Sequence, residues 1–161
     1  MSISDMIVVM KAGVVQQIGQ PQSVYDEPVN LFVAKFLGTP PINVFDAKVE
    51  NGFVTIGKDR VLPVSGVADG KYACAIRPEG FVPNENGALQ CSLKAVEVMG
   101  RDTSVVFGHE GVLSETPRAI ISADARHGIA GNTVRFSVKP HKLFLFDAQT
   151  EARVPFTARE V

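Results

Sequence analysis

The sequence predicts a mainly β protein, in which two strands and two short helices precede a small antiparallel barrel. After residue 39, short runs rich in β-branched and aromatic residues recur between turn residues. Asn51-Gly52 separates two of these runs and is a strong hairpin signal. Before residue 39, the apolar spacing changes from a strand period to a helical one.

The first forty residues begin with two apolar runs, 7–10 and 14–18, joined by a Lys-Ala-Gly turn. They predict an antiparallel strand pair. Pro21 suits the first turn of a helix, because its missing N–H costs nothing there, and Pro28 prevents that helix from continuing. An all-apolar strand is normally covered on both faces, so we expect further sheet to precede it.

A second helix is expected to follow Asn30, whose side chain suits the N-terminal cap. Gly38 suits the left-handed position at its end. Phe32 and Phe36 are one helical turn apart. We therefore expect this helix to pack by its aromatic face.

The remaining residues predict a series of short strands in an oligonucleotide/oligosaccharide-binding-like (OB-like) Greek-key barrel. The longest run changes its alternation at Val96, which indicates a bulge where a barrel strand bends. Strand order in 83–90 and 109–131 stays open. The predicted strands are 43–50, 53–56, 60–64, 72–77, 89–99, 103–107, 119–122, 134–138 and 143–146.

Composition excludes several classes of protein. The 161 residues are 45% hydrophobic, without the roughly 18 consecutive apolar residues of a membrane span, so no membrane insertion is expected. A net charge of −1 without like-charge blocks argues against nucleic acid as a partner. No secretory signal is visible, which favours the cytoplasm. Cys74 and Cys91 lie in strand-like runs and are expected to be buried free thiols.

Catalytic, cofactor and metal motifs are not found. The sequence contains no Gly-Lys-Ser/Thr and no Gly-x-Ser-x-Gly. His109, His127 and His141 lack ligand spacing and are interpreted as loop or surface residues. We therefore expect no catalytic, cofactor-binding or metal-binding residue, and no enzyme activity in this chain.

Three segments resemble one family. Residues 5–43 contain IVVM, GQP, FVA, FLG and PP, residues 75–79 read AIRPE, and residues 138–147 contain VKP and LFLFD. Together they resemble the ATP-binding subunit of ATP-binding-cassette (ABC) importers of the sugar and glycerol-phosphate (maltose-type) class, including its OB-like (TOBE) regulatory domain. The resemblance implies that residues 1–38 are a C-terminal remnant of the α/β nucleotide-binding domain and that residues 39–161 are the regulatory domain.

The resemblance also implies a function and partners. The chain would be the regulatory and dimerisation portion of a transport ATPase, with ATP and Mg²⁺ bound only in the full-length parent. Its partners would be a second copy and, through the missing ATPase domain, membrane permease subunits, at the inner face of the cell membrane.

An alternative is a small-solute or oxyanion-binding module, using 103–104 and 137–139. Binding of single-stranded nucleic acid would instead need a basic groove with stacking aromatics.

The candidate regulatory or interface residues come from the two later motifs: Arg77, Pro78, Glu79, Pro140, Phe146 and Asp147. Two interpretations of Arg77 and Glu79 stay open. They are either an ion pair at a strand end or a contact between domains or subunits.

Overall fold

The computed structural model describes residues 5–122 and 129–159. Within these residues the chain forms two helices and fifteen strands. The elements are β1 Ile7–Lys11, β2 Val14–Gly19, α1 Pro21–Asp26, α2 Leu31–Phe36, β3 Asn43–Glu50, β4 Phe53–Ile56, β5 Asp59–Ser65, β6 Gly70–Ile76, β7 Phe81–Pro83, β8 Leu89–Met99, β9 Asp102–Gly108, β10 Arg118–Ser122, β11 Ile129–Ala130, β12 Thr133–Val138, β13 Leu143–Asp147, β14 Arg153–Val154 and β15 Thr157–Ala158.

The first segment follows the local sequence signals. Strands β1 and β2 pair antiparallel, with Val8 opposite Ile18. Pro21 is the first residue of α1. The Asn30 side chain accepts the Val33 N–H at 2.9 Å, which confirms the predicted cap of α2. Gly38 has a φ of +108° and follows the end of that helix.

The predicted aromatic packing of α2 holds for Phe32, which packs against the hairpin cluster, but not for Phe36. Phe36 is 58% exposed, whereas Leu31, Val33 and Ala34 are buried. Leu31 and Ala34 pack in a cluster with barrel residues that include Phe144, and Val33 packs on the hairpin in a cluster with Val9. The barrel and the hairpin therefore determine which face of α2 is covered.

Two larger antiparallel sheets surround one core. One has the order β14-β13-β6-β3-β4-β5-β15, and the other has β10-β9-β8-β12-β11 with β7 added beside β12. Both sheets contribute to a single apolar cluster, at whose centre Phe45, Phe81, Phe107 and Phe136 lie with neighbouring ring centroids 5.1–6.5 Å apart. The structure is mainly β and includes a nearly closed, barrel-like sheet, which confirms the expected OB-like fold class.

The later strands correct two details of the prediction. The register of β8 on β9 shifts between Leu93 and Ala95, before the expected bulge at Val96. The short strands β7, β11, β14 and β15 were not predicted. Of the segments left open, 83–90 contains the end of β7 and the start of β8, while 109–117 is a loop.

No helix in the described residues is long and apolar enough to cross a membrane. A domain boundary between residues 38 and 39 stays a prediction. The segment before it is in close contact with the barrel, and that contact is where the candidate residues meet.

Candidate functional site: the arginine junction

The junction between the helices and the barrel is built around Arg77, which follows the last residue of β6. Pro78 begins a 3₁₀ turn there, so the chain leaves the sheet and the arginine side chain is free to point towards the helices. Arg77 is only 1% exposed and is among the largest fully buried side chains in the described residues. A buried arginine needs several acceptors, because burial of an unpaired charge is costly.

The guanidinium finds its acceptors at the C-terminal ends of both helices. Its Nη1 donates to the carbonyl oxygens of Ala34 and Leu37, each at 2.9 Å, and its Nη2 donates to the carbonyl oxygen of Tyr25 at 2.8 Å. Carbonyls in the last turn of a helix have no partner within the helix and carry partial negative charge. One barrel residue therefore caps α1 and α2 together.

Aromatic faces surround the same charge. The Arg77 Cζ lies 3.8 Å from the centroid of the Tyr25 ring and 5.7 Å from that of Phe144. Both distances are within the range of a cation–π contact. Burial lowers the pKa of the guanidinium, and the Tyr25 and Glu79 groups work against that shift. In the described residues, Arg77 Nε has no hydrogen-bond partner, so the charge depends on the Nη contacts.

Glu79 pairs with other groups at this junction. Its Oε2 accepts a 2.6 Å hydrogen bond from the Tyr25 hydroxyl and lies 3.2 Å from Lys142 Nζ. Burial acts to raise the pKa of the Glu79 carboxyl, but the hydrogen bonds from Tyr25, its own backbone and Lys142 outweigh it, and the pKa lies below its ordinary value. Burial and Glu79 raise the pKa of Tyr25, so the phenol stays a donor.

Pro140 begins the second 3₁₀ turn of the junction and is itself exposed. This turn positions Lys142 beside Glu79, and the carbonyl of Lys142 accepts the Arg77 N–H at 3.0 Å. The two motif segments, AIRPE and VKP, are therefore in contact in the fold.

Phe146 and Asp147 support the other end of α2. Phe146 is fully buried in the cluster that contains Leu31. Asp147 accepts the backbone N–H groups of Gln149 and Thr150, each at 2.8 Å, and these bonds lower the pKa of its carboxyl. The turn that they stabilise places the Glu151 carbonyl 3.0 Å from the N–H of Leu31, the first residue of α2.

Arg77, Phe146 and the Asp147 turn thus contact α2, Glu79 contacts α1, and Pro140 begins the turn that carries Lys142. Sequence reasoning missed Tyr25, Lys142 and Arg153 as their partners. Arg153 adds a hydrogen bond to the Pro28 carbonyl at 3.2 Å and an ion pair with Glu27 at the same distance. Tyr25 lies within residues 5–43, the first of the three segments that resemble the family, so this resemblance was the signal that could have marked it as a partner. The arrangement holds the helical segment and the barrel together.

The residues named for oxyanion binding are not brought together. Thr103 and Ser104 are buried in β9, and Ser104 accepts a hydrogen bond from Arg118. Ser137 accepts one from Asn84. Four of the phenylalanines form the core, so they are not available to stack on bases.

The histidines and cysteines differ in their environments. His141 is exposed, and His127 lies outside the described residues. His109 lies in a loop, as expected, but its side chain is only 4% exposed, so the interpretation as a surface residue is wrong for it. Cys74 and Cys91 are buried free thiols, as predicted.

The sequence lacks the Gly-Lys-Ser/Thr that a phosphate-binding loop requires. Within residues 5–122 and 129–159, no three His, Cys, Asp or Glu side chains lie close enough to hold a metal ion.

Comparison with known proteins identifies the family. Similar curated proteins are 30–35% identical over 96% of the chain, and they are ATP-binding subunits of importers for sugars and glycerol phosphate. Over almost its whole length the chain therefore matches the C-terminal part of these ABC proteins, which confirms the resemblance found in the sequence. No family model matches the chain.

Three relatives illustrate the match. The sn-glycerol-3-phosphate import ATP-binding protein UgpC of Ruegeria sp. (strain TM1040) is 35% identical over 156 residues, which are 96% of this chain and 43% of UgpC. The sulfoquinovosyl glycerol transport ATP-binding protein SmoE of Agrobacterium fabrum is 30% identical over 166 residues, again 96% of this chain and 45% of SmoE. A putative ABC transporter ATP-binding protein of Mycoplasma pneumoniae is 35% identical over 159 residues, 26% of its length. The chain thus spans less than half the length of these relatives.

Proposed function

We propose that this chain is the C-terminal regulatory portion of an ABC importer ATP-binding subunit that energises uptake of a sugar, a polyol or a glycerol phosphate. The supporting observation is the arginine junction. A fully buried barrel arginine caps both helices, and the Asp147 turn holds the start of α2. A barrel attached at both ends of a helix follows that helix when it moves.

The junction suits the transmission of a signal because its contacts are directional. Three hydrogen bonds from one guanidinium fix its distance and angle to three carbonyls, whereas apolar contacts alone tolerate sliding. Residues 1–38 would be the end of the nucleotide-binding domain and residues 39–161 the regulatory domain. A change in either domain would reach the other through Arg77 and α2.

The rest of the proposal concerns the whole protein. ATP and Mg²⁺ would be bound by the part of the parent that lies outside this chain. The subunit would work as a homodimer with membrane permease subunits, at the inner face of the cell membrane. The solutes for which UgpC and SmoE are named, sn-glycerol 3-phosphate and sulfoquinovosyl glycerol, support a phosphorylated or sulfonated polyol or sugar as the solute.

Uptake assays in the source cell test this role. We expect in-frame deletion of the gene to abolish uptake of one labelled solute among sn-glycerol 3-phosphate, sulfoquinovosyl glycerol and a disaccharide. A plasmid copy should restore that uptake. Unchanged uptake of all three solutes would exclude these solute classes, and a restored strain whose uptake does not require ATP would exclude the ATPase role.

A further inference from the structure

Residues 109–117, here called the strap, join β9 to β10 and run along one edge of β3. The carbonyl of Gly111 accepts the Asp46 N–H at 2.7 Å, and the Leu113 N–H donates to Val44 at 2.8 Å. The Ser114 hydroxyl accepts the Val44 N–H at 2.9 Å. Strand β4 pairs with β3 only from Lys48 onwards. The strap therefore covers backbone groups that a neighbouring strand would otherwise pair.

His109 fastens the start of the strap. Its Nε2 lies 2.8 Å from Asp59 Oδ2, and its Nδ1 accepts the Gly111 N–H at 3.0 Å. Because Nδ1 is an acceptor, the ring proton is on Nε2 and the imidazole is neutral in this arrangement. Asp59 Oδ2 also accepts the Gln90 N–H at 3.0 Å, so the carboxylate is fixed to β8. Asp59, His109 and Gly111 are called the clasp below.

A second proton on His109 would break its hydrogen bond with Gly111 and keep its contact with Asp59. Both ring nitrogens of an imidazolium are donors, so Nδ1 could no longer accept the Gly111 N–H. The bond to Asp59 would become a charge-assisted one and persist. Histidine is the side chain that ordinarily changes charge between pH 5 and 8.

The charged side chains that line the cleft beside the His109 ring include both cations and anions. Lys58 comes from the β4–β5 turn, Asp59 from the start of β5, Lys94 from β8, and Glu110 from the strap itself. Cys91 on β8 faces the same cleft as a neutral thiol, since burial raises its pKa to about 12. The two lysines oppose a charged imidazole and the two carboxylates favour it. Asp59 is the charged group in direct contact with the ring.

We propose that the clasp is a proton-operated fastening: protonation of His109 releases Gly111 and loosens the strap from β3. The released strap would also widen the groove of about 650 Å³ that Leu113 and Glu115 line opposite Leu31 and Lys35 of α2. The device therefore connects acidification to the barrel surface beside the arginine junction. This inference stands without the importer role.

Nuclear magnetic resonance of the full chain tests the clasp in the unaltered protein. At pH 8, the His109 Nε2 signal should be that of a protonated nitrogen and the Nδ1 signal that of a hydrogen-bond acceptor. On acidification to pH 5, the amide-exchange protection of Gly111, corrected for intrinsic exchange, should fall roughly two- to tenfold, the factor that corresponds to one hydrogen bond. The Gly80 amide, which bonds to Arg77, should keep its protection.

Three variants give the switch its controls. His109→Gln should remove the pH dependence of Gly111 protection, and His141→Gln, at an exposed histidine, should leave it intact. Asp59→Asn removes the negative charge beside the ring and should therefore reduce the loss of Gly111 protection between pH 8 and pH 5. Gly111 protection that does not change with pH in the unaltered chain would overturn the proposal, as would a pH dependence that survives in His109→Gln.

Discussion

Replacement of Arg77 by methionine should destabilise the protein more than any change at an exposed arginine. Methionine fills similar volume but leaves the carbonyls of Tyr25, Ala34 and Leu37 without the donor that they share. Hydrogen bonds to a charged group contribute about 1.5 kcal/mol each at the low end, which gives a gross loss of about 4.5 kcal/mol. Methionine avoids the desolvation cost of the guanidinium, so the net loss should be about 3 kcal/mol.

The assay is urea unfolding followed by far-ultraviolet circular dichroism, since the chain has no Trp. For a chain of this length, about 3 kcal/mol corresponds to a fall in melting temperature of about 6–12 °C. Arg77→Lys should lose less, because it keeps the charge but not the planar fork. Arg101→Met, at an exposed turn, is the matched control and should stay within about 0.5 kcal/mol.

The reasoning would be refuted if Arg77→Met lost less than about 1 kcal/mol, because the three carbonyls would then be satisfied without the guanidinium. An equal loss in Arg101→Met would refute it as well. Hydrogen exchange adds a spatial check. The amides of α1 and α2 should lose protection in Arg77→Met before those of β12 do, since the arginine caps the helices and does not contact β12.

Three further outcomes follow from the structure. Glu79→Gln should lose no more than about 1 kcal/mol at pH 7, because its partly exposed carboxylate is screened by water. The pKa of Glu79 is lowered on folding, so in pH-dependent urea unfolding the difference should begin to shrink as the pH falls below about 4.3, the ordinary pKa of Glu, and disappear below the lowered pKa of the folded state. Cys74 and Cys91 should not react with a thiol reagent until urea unfolds the chain, since burial raises the pKa of both thiols. The double variant Val8→Ser, Ile18→Ser should weaken self-association, measured by light scattering, with little change in melting temperature. The reason is that these two side chains face each other across the hairpin and are 50% and 59% exposed. Unchanged association would mean that the hairpin is not the contact between copies.

The sequence predicted those features whose causes lie within a few residues. Asn51 and Gly52 have φ values of 54° and 80°, as a two-residue hairpin turn requires, and they join β3 to β4. Asn30 caps α2 with its own side chain. In such cases the residue that causes the structure and the structure itself share one turn of chain, so a local pattern is sufficient.

The junction and the clasp could not be predicted in this way. The acceptors of Arg77 are backbone carbonyls 40 to 52 positions earlier, and every residue has a carbonyl, so no sequence pattern marks them. The partner of His109 is 50 positions away. The exposure of Phe36 shows the same limit: Leu31 and Ala34 meet the barrel, so tertiary contact overrides the apparent aromatic face.

The most direct test of the central claim is solute uptake by the assembled importer whose ATP-binding subunit carries Arg77→Met. If the arginine junction connects the regulatory barrel to the nucleotide-binding domain, ATP binding should be retained while the coupling of hydrolysis to uptake falls on the order of fivefold or more. The subunit with Arg101→Met should transport normally. Normal coupled uptake in a folded Arg77→Met importer would contradict the account, because the barrel would then need no fixed attachment to the helices.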